Sequence, residues 1–258
     1  MILVTGAGGS VGGEGLKQLR VAGAPVRGAF HNAKKAGEAR EQGIDSAVFD
    51  YADRGSIAAA LKGVDQVFLV VATLPKQWEL EQNVAEESKK AGVKHMVKLS
   101  VLDCDTEDYI FGRWHRAGER AIEAVGLPHT FLRPTGFMQN FVNFDAAIIK
   151  SQAAIYAPDE SPHTAVDVRD IAAVAVKVLT GSGHEGKSYD LTGPAVLTKQ
   201  RSSEDDRRRD RQAGEIRADS VGGVPARCAG RGNAEVLCGC AGQSRSAVRQ
   251  RKSNPRER

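Results

Sequence analysis

The stretch ILVTGAGGSVGG at residues 2–13 constrains the fold of this chain more than any other segment. An apolar run ends at Thr5, and Gly6, Gly9 and Gly12 follow at GxxGxxG spacing before the helical pattern LKQLRVAG. The first glycine permits a tight turn, the second lets a pyrophosphate approach the backbone, and the third lets the helix pack closely on the strand. Because the N–H groups at a helix start are free to bind phosphate, the order strand, glycine triplet, helix predicts a dinucleotide-binding loop. A glycine-rich turn without a ligand is the alternative.

Residues 1–198 alternate strand-like and helix-like segments. The strand-like runs are predominantly apolar rather than alternating, which is typical of strands buried on both faces of a parallel sheet. These runs are Ile2–Val4, Val26–Phe30, Ala47–Phe49, Val67–Val71, Met96–Leu99 and Thr130–Leu132. The helical stretches between them include Ser56–Leu61, Gln82–Lys90 and Glu119–Val125. This alternation predicts an α/β fold with a doubly wound parallel sheet.

Residues 199–258 differ in kind from the rest of the chain. They contain no Phe, Trp or Tyr, only six Ile, Leu or Val residues, and 15 Lys and Arg against 8 Asp and Glu. A segment of this composition buries too little apolar surface to offset its ordering entropy, so we expect it to be disordered. A basic arm that binds nucleic acid is one alternative. A shift of reading frame in a GC-rich gene is another, since it yields the same bias toward Arg, Gly, Ala, Ser and Cys.

The composition also bounds location and partners. Residues 1–198 hold 21 Lys and Arg against 24 Asp and Glu, so the main body lacks the basic excess that nucleic-acid binding requires. No window approaches the roughly 20 apolar residues of a membrane span, and the start MILVTG lacks the basic segment of a signal peptide. Cys104 and three tail cysteines form neither a disulfide framework nor a zinc pattern. We therefore expect a cytoplasmic protein without metal, membrane or nucleic-acid binding, and the oligomeric state stays open.

The end of the second predicted strand reads FHNAKK. A carboxylate there would bond the 2′-hydroxyl of NAD and repel the 2′-phosphate of NADP. The segment has no acid, and it carries His31, Lys34 and Lys35, so the sequence favours NADP(H) over NAD(H). A solvated helix face would explain the lysines equally. After the third strand, Asp50 is a candidate to bind the adenine amine, and a helix N-cap at Asp50 or Asp53 is the alternative.

These residues, together with three later segments, resemble the NmrA-like branch of the atypical short-chain dehydrogenase/reductase superfamily. The segments are AGVKHMVKLSVL, GRWHRAGERAIEAVGLPHTFLRPTGFMQNF and VDVRDIAAVAVKVL. That branch includes NAD(P)H:quinone reductase-like and azoreductase-like proteins as well as redox-sensing regulators. The resemblance covers residues 1–198 and implies an NAD(P)-binding Rossmann domain over 1–150. Residues 151–198 would complete the sheet and begin a small, truncated C-terminal substrate-binding part.

The resemblance also implies a site, with the dinucleotide lying across the carboxyl ends of the strands. It assigns the pyrophosphate to Gly6, Gly9, Ser10, Val11 and Gly12, the 2′-phosphate to His31 and Lys35, the adenine to Asp50, and the nicotinamide side to Val71, Ala72, Thr73, Ser100, Pro134, Thr135 and Phe137.

Short-chain dehydrogenases carry a Tyr-x-x-x-Lys pair on the helix predicted to begin near Tyr109, where the tyrosine passes a proton to the substrate. Aligning HRAGE with the usual K-x-x-G-E puts His115 at the lysine and Phe111 at the tyrosine. Phe111 has no proton to donate, and Tyr109, two residues earlier, points elsewhere on a helix. His115 is the remaining candidate catalytic residue, since a near-neutral pKa would permit proton transfer. A purely structural role is its alternative.

Hydride transfer to a quinone-like or azo-like acceptor remains possible without the tyrosine, because the nicotinamide supplies the chemistry and water supplies protons. The candidate walls for a small aromatic ligand are Phe111, Trp114 and Met138, with Asn140 to orient it. Each of these side chains could instead belong to the core. A cofactor-bound redox sensor without turnover is the alternative function.

Overall fold

A computed structural model describes residues 1–140, 142–143, 164–196, 236–238 and 247–252 of the chain. Strands and helices alternate along it. The strands are β1 (Ile2–Val4), β2 (Val26–Phe30), β3 (Ser46–Val48), β4 (Gln66–Leu69), β5 (His95–Leu99), β6 (His129–Pro134), β7 (Gly136–Phe137), β8 (Ala165–Val166), β9 (Lys187–Thr192), β10 (Val236–Cys238) and β11 (Ala247–Lys252). The described helices are α1 (Ser10–Val21), α2 (Ala33–Glu41), α3 (Arg54–Ala60), α4 (Gln77–Lys90), α5 (Ile110–Val125) and α6 (Val168–Thr180).

The main sheet has the strand order β10-β11-β9-β6-β5-β4-β1-β2-β3. The seven strands from β9 to β3 in this order are all parallel, with Ile2 on β1 paired to Val26 on β2 and to Gln66 on β4. The chain reverses direction across the sheet between β1 and β4, which is the switch point where Rossmann folds bind dinucleotides. The predicted fold class, a Rossmann doubly wound parallel sheet, is therefore confirmed. Strands β7 and β8 pair separately in a small parallel sheet.

Helices cover both faces of the sheet. On one face, α1, α2 and α6 pack through residues such as Leu16 and Ile171 against Val4. On the other, α3, α4 and α5 pack through residues such as Ile122 against Leu3. Because neighbouring residues of a strand point to opposite faces, the apolar strands supply both cores at once.

Side-chain caps fix the starts of three helices. Asn32 precedes α2 and accepts a hydrogen bond from the N–H of Lys34 at 2.8 Å. Asp53 does the same for α3 through Gly55, and Asp167 caps α6 through the N–H of Arg169 at 2.8 Å. Such caps satisfy N–H groups that have no partner within the helix.

Two helices begin earlier than the apolar pattern indicates. Helix α4 begins at Gln77, five residues before the predicted stretch 82–90. Helix α5 begins at Ile110, next to Tyr109 as predicted, although the apolar pattern indicates it only over 119–125. Gln77 and Glu81 are polar and yet buried, so they conceal the helical period that apolar residues would display.

The tail departs from its predicted disorder at two short segments. Strand β11 pairs antiparallel with β9, from Ala247 opposite Thr192 to Lys252 opposite Lys187, and β10 pairs antiparallel with β11. These pairings use backbone N–H and C=O groups. The open edge of β9 can therefore pair with β11 although the tail has few apolar residues. The rest of residues 199–258, to which the disorder prediction also applies, lies outside the described residues.

No helix in the described ranges is long and apolar enough to cross a membrane. Over the same residues, no group of three or more His, Cys, Asp or Glu side chains is arranged to hold a metal ion.

Candidate functional site

The loop between β1 and α1 can be built only with glycine at two positions. Gly6 has φ +60°, and a Cβ there would lie 2.8 Å from the Val70 carbonyl oxygen. A Cβ on Gly12 would lie 2.3 Å from the carbonyl oxygen of Gly6 and 2.7 Å from that of Thr5. Helix α1 therefore packs directly on the loop. Gly9 is the N-cap of α1 and has no side chain, so no side-chain cap occupies the first-turn N–H groups of the helix.

A cavity of about 910 Å³ extends from this loop along the carboxyl ends of the parallel strands. Most of the predicted site residues line it, although they come from six separate loops and helices. They are Gly6, Gly9, Ser10, Val11, Gly12, His31, Lys35, Val71, Ala72, Thr73, Ser100, Phe111, His115, Pro134, Thr135, Phe137 and Asn140. The chain thus gathers these residues in one place, as the strand order requires.

The loop after β2 brings polar groups to one end of the cavity. His31, Asn32 and Lys35 line it, and the Lys35 ammonium lies 3.8 Å from the position of a Cβ on Gly8. Lys34 points away, with its ammonium 3.9 Å from Glu38 and its side chain exposed. None of the described residues lining the cavity is Asp or Glu.

Asp50 does not line the cavity. Its Oδ1 accepts a hydrogen bond at 2.9 Å from the N–H of Ala52, which holds the carboxylate in the turn after β3. The helix cap is Asp53. The predicted contact of Asp50 with the adenine therefore lacks support in this geometry. Its neighbours Phe49 and Tyr51 line the cavity instead.

Sequence reasoning missed Tyr51 and Phe49. Their rings meet edge to face, with centroids 5.0 Å apart, and the Tyr51 hydroxyl donates to the Val70 carbonyl at 2.6 Å. Burial is the main reason that the pKa of Tyr51 is raised to about 12. The available signal was the position of both aromatic residues at the carboxyl end of β3, where ligands bind in sheets of this kind.

Two predicted ligand walls lie elsewhere. Trp114 is on α5 behind Phe111, with the two ring centroids 5.5 Å apart, and it does not reach the cavity. Met138 follows β7, where its backbone N–H donates to Val166, and it does not line the cavity either. Phe111 is half-exposed at the cavity wall, so it is available to a ligand.

His115 is buried at the base of the cavity. Its Nε2 lies 3.3 Å from the Thr73 hydroxyl, while its Nδ1 lies 3.2 Å from both the Gln77 amide nitrogen and the Lys98 ammonium. Burial and the nearby ammonium lower the pKa of His115 to about 3. The expectation of a near-neutral pKa is therefore wrong, because it took no account of burial. His115 is a neutral imidazole at physiological pH.

The buried carboxylate of Glu119 holds Ser100, which lines the cavity. Glu119 accepts a hydrogen bond from the Ser100 hydroxyl at 2.7 Å and two from the Arg133 guanidinium at 3.0 and 2.7 Å. Burial opposes its charge, but the bonds from Arg133 prevail and lower the pKa of Glu119 to about 2. Arg133 is thus structural. Burial raises the pKa of the adjacent Cys104 thiol to about 12, so this thiol stays protonated at neutral pH.

Tyr109 does not replace the missing proton donor. Its hydroxyl donates to the carbonyl of Leu102, and its ring packs under Gly112, where a Cβ would lie 2.8 Å from it. Tyr109 does not line the cavity. The side chain that occupies the tyrosine position, Phe111, carries no transferable proton.

Comparison with known proteins agrees with this geometry. Residues 6–182 match the model of a family described as NAD(P)H-binding. The chain belongs to that NAD(P)H-binding family. This confirms the resemblance to NmrA-like short-chain dehydrogenases, and it confirms that the chain binds a nicotinamide dinucleotide.

Two curated relatives are reductases. The chain is 40% identical over 201 residues to (4-alkanoyl-5-oxo-2,5-dihydrofuran-3-yl)methyl phosphate reductase of Streptomyces griseus. It is 36% identical over 200 residues to NAD(P)H azoreductase of Xenophilus azovorans. Each match covers 77% of this chain and 70% of the relative.

Among solved structures, the NADPH complex of an NADPH-dependent quinone oxidoreductase from Escherichia coli is similar, with a TM-score of 0.74 and 27% identity. That match covers 81% of this chain and 76% of the other. A Citrobacter triphenylmethane reductase complexed with NADP(H) matches with a TM-score of 0.70 and 26% identity, covering 79% of this chain and 73% of that one.

Proposed function

We propose that the protein is an NADPH-dependent reductase that transfers a hydride to a small quinone-like or azo-like acceptor. The observation that carries this proposal is the single continuous cavity. It begins at the phosphate loop and ends between Phe111 and Phe137, so it has room for a dinucleotide and for a flat ligand beside it. The similarity to an azoreductase and to quinone oxidoreductases supports the same chemistry.

The fit of the dinucleotide rests on the glycine loop. Because a Cβ at Gly12 would meet backbone atoms, α1 is held close enough for its N–H groups to face a pyrophosphate. We assign the pyrophosphate to the segment from Gly9 to Gly12. Thr73 and Ser100 are the hydroxyl side chains on the nicotinamide side of the cavity.

When bound, the nicotinamide supplies the hydride. The chain contributes position: Glu119 holds the Ser100 hydroxyl, while Phe111 and Phe137 form a wall on which a flat acceptor can stack. After hydride transfer the acceptor is an anion, and water provides its proton. No side chain in the described part of the cavity wall is a tyrosine placed like the usual acid.

We further infer a preference for NADP(H) over NAD(H). His31, Asn32 and Lys35 lie together at the end of β2, and this part of the cavity wall has no carboxylate among the described residues. A 2′-phosphate would meet a lysine ammonium there, whereas a free 2′-hydroxyl would find no carboxylate acceptor. We also infer a cytoplasmic location, in keeping with the free Cys104 thiol.

Absorbance of the reduced nicotinamide tests both proposals. With p-benzoquinone or a simple azo dye as acceptor, the purified chain should oxidise NADPH faster than NADH at equal, subsaturating concentrations. Heat-denatured protein is the control for direct chemical reduction. Equal rates would contradict the cofactor preference, and rates no higher than the control would contradict the enzymatic function.

The second candidate function is a redox sensor that binds NADP(H) without turnover. The observation in its favour is Phe111 at the tyrosine position, together with a His115 that does not titrate near neutral pH. Quenching of protein fluorescence by NADPH without acceptor-dependent oxidation is the result expected for a sensor.

A further inference from the structure

A hydrogen-bonded group of four buried side chains lies beneath the cavity wall. It consists of His115 on α5, Lys98 on β5, and Gln77 and Glu81 on α4. The Lys98 ammonium is 3.0 Å from Glu81 Oε1 and 3.2 Å from His115 Nδ1. A fully buried ammonium is costly even when it is paired, and two uncharged core side chains would be at least as stable. Stability alone therefore does not explain why these four side chains are buried together.

The partners of His115 determine which of its nitrogens carries the proton. The Lys98 ammonium and the Gln77 amide nitrogen are both hydrogen-bond donors, and both approach Nδ1. Nδ1 must then be the unprotonated acceptor. In a neutral imidazole the single proton is consequently on Nε2, which faces the Thr73 hydroxyl at the cavity wall at 3.3 Å.

Charged groups surround the imidazole from three elements. They are Lys98 on β5, Glu81 on α4 and Glu119 on α5. Lys98 is the only one of the three in hydrogen-bonding distance of the ring in the described structure, and a second positive charge on the ring would lie directly against it. Protonation of Nδ1 is therefore opposed both by burial and by the ammonium.

The backbone of α5 makes room for this arrangement. A Cβ on Gly118 would lie 1.6 Å from Glu81 Oε2, so only glycine lets the carboxylate lie against the helix and reach Lys98. Glycine in a helix interior costs about 1 kcal/mol relative to alanine. Helix α5 thus carries a glycine at the one position where Glu81 approaches it.

We propose that Lys98 is a positioning residue that keeps His115 neutral with its proton on Nε2. There His115 donates to the Thr73 hydroxyl, so that the Thr73 proton is left to bond the hydride-acceptor atom that gains negative charge. This inference rests on the proposed reductase function. Thr73, oriented by His115, would then supply the hydrogen bond that the tyrosine hydroxyl supplies in other short-chain dehydrogenases, and neither side chain gives up its proton.

The protonation of His115 can be measured without any turnover. Long-range ¹H–¹⁵N correlation spectra of the full chain labelled with ¹⁵N-histidine report whether each ring nitrogen carries a proton. The signals of His115 are assigned by their loss in His115→Gln. We expect an unprotonated Nδ1 and a protonated Nε2 from about pH 5 to about pH 8, the range in which an ordinary histidine titrates. A proton on Nδ1, or titration within this range, would overturn the proposal.

The double variant Lys98→Met/Glu81→Gln removes both charges and leaves neither one unpaired. We expect kcat to fall about tenfold, the effect of losing one well-placed hydrogen bond, while the Kd of NADPH stays unchanged. The His115 spectrum should change to a mixture of the two neutral forms. Unchanged kcat together with an unchanged spectrum would overturn the proposal.

Two further variants separate positioning from general destabilisation. Arg27→Met breaks the ion pair between Asp45 and Arg27 on β2, three strands away from β5 in the sheet, and it should leave kcat and the His115 spectrum as they are. An equal fall in kcat in Arg27→Met would overturn the positioning role. If the double variant does not fold, Gln77→Leu leaves Lys98 as the remaining donor to Nδ1, so the His115 spectrum and kcat should stay as they are. A change of that spectrum to a mixture of the two neutral forms would overturn the assignment of the positioning role to Lys98. Absence of turnover in the wild-type chain would refute the reductase function alone, because the spectra do not depend on it.

Discussion

Substitution of Gly12 by alanine is the sharpest test of the phosphate loop. The new Cβ would lie 2.3 Å from the carbonyl oxygen of Gly6 and 2.7 Å from that of Thr5. Both contacts are with backbone atoms, so no side chain can rotate away. To restore ordinary contact at about 3.5 Å, α1 must move outward by roughly 1 Å. Overpacking of this kind costs about 1–3 kcal/mol of unfolding free energy.

The matched control is Gly37→Ala in the interior of α2. Nothing lies within 4 Å of a Cβ at Gly37, so the substitution should stabilise the protein by about 0.5–1 kcal/mol through the helix propensity of alanine. The two variants change the same residue type in the same way. Their unfolding free energies in urea should therefore differ by about 1.5–4 kcal/mol, with Gly12→Ala the less stable.

The same shift of α1 should weaken cofactor binding. The first-turn N–H groups would move away from the pyrophosphate, and each hydrogen bond to a charged group contributes about 1.5–3 kcal/mol. A fluorescence titration should show NADPH binding at least about tenfold weaker in Gly12→Ala and unchanged in Gly37→Ala. Equal stability of the two variants would refute the packing argument. Lower stability with unchanged NADPH affinity would refute the placement of the pyrophosphate.

Three further predictions concern the cofactor end, the buried carboxylate and the tail. Lys35→Met should raise the KM for NADPH but not the KM for NADH. Lys34→Met removes an exposed lysine and should change neither KM value. Equal effects of the two substitutions on the KM for NADPH would contradict the 2′-phosphate assignment. Because the folded-state pKa of Glu119 is about 2, its contribution to stability is complete above about pH 4.5 and is lost as the pH falls toward 2. Between about pH 4.5 and about pH 2 the unfolding free energy in urea should therefore fall less in Glu119→Gln than in the wild type, by on the order of 3 kcal/mol. The same pH dependence of unfolding free energy in both proteins would count against a low pKa of Glu119. We also propose that residues 199–258 are read out of frame. Sequencing of the gene around codon 198 tests this, and an uninterrupted reading frame there would contradict it.

Local signals in the sequence were enough to predict the fold and the loop. The order of strand, glycines and helix at Gly6 to Gly12 depends on neighbours along the chain, as do the strand ends at His31 and Ser100. In a parallel sheet these ends meet at one edge, so the fold class also predicts that they line one cavity.

The buried network could not be predicted from neighbours along the chain. Lys98 stands between the apolar residues Val97 and Leu99 of β5, and a lysine in a strand buried on both faces is itself a sign of a paired buried charge. Its partners Glu81 and His115 lie 17 residues away in either direction, on two different helices. Only the packing of α4 against α5 brings them together, and burial together with the Lys98 ammonium accounts for the low pKa of His115.

The errors at the site have the same origin. Asp50 was selected for its charge, yet its side chain bonds to its own turn and leaves the cavity to Phe49 and Tyr51. Trp114 is aromatic, as a wall for a flat ligand requires, but three residues along a helix place it behind the Phe111 ring and away from the cavity. In each case the residue type suits the predicted role, but the side chain does not point into the cavity. The direction of a side chain depends on the surrounding fold and not on residue type.

We propose that this chain transfers a hydride without a tyrosine acid. A single-turnover measurement decides this, in which NADPH deuterated at the transferred position of C4 is mixed with p-benzoquinone in the presence of excess protein. We expect rapid oxidation that depends on the protein and is slower with the deuterated cofactor than with ordinary NADPH. Binding of NADPH without protein-dependent oxidation would contradict it.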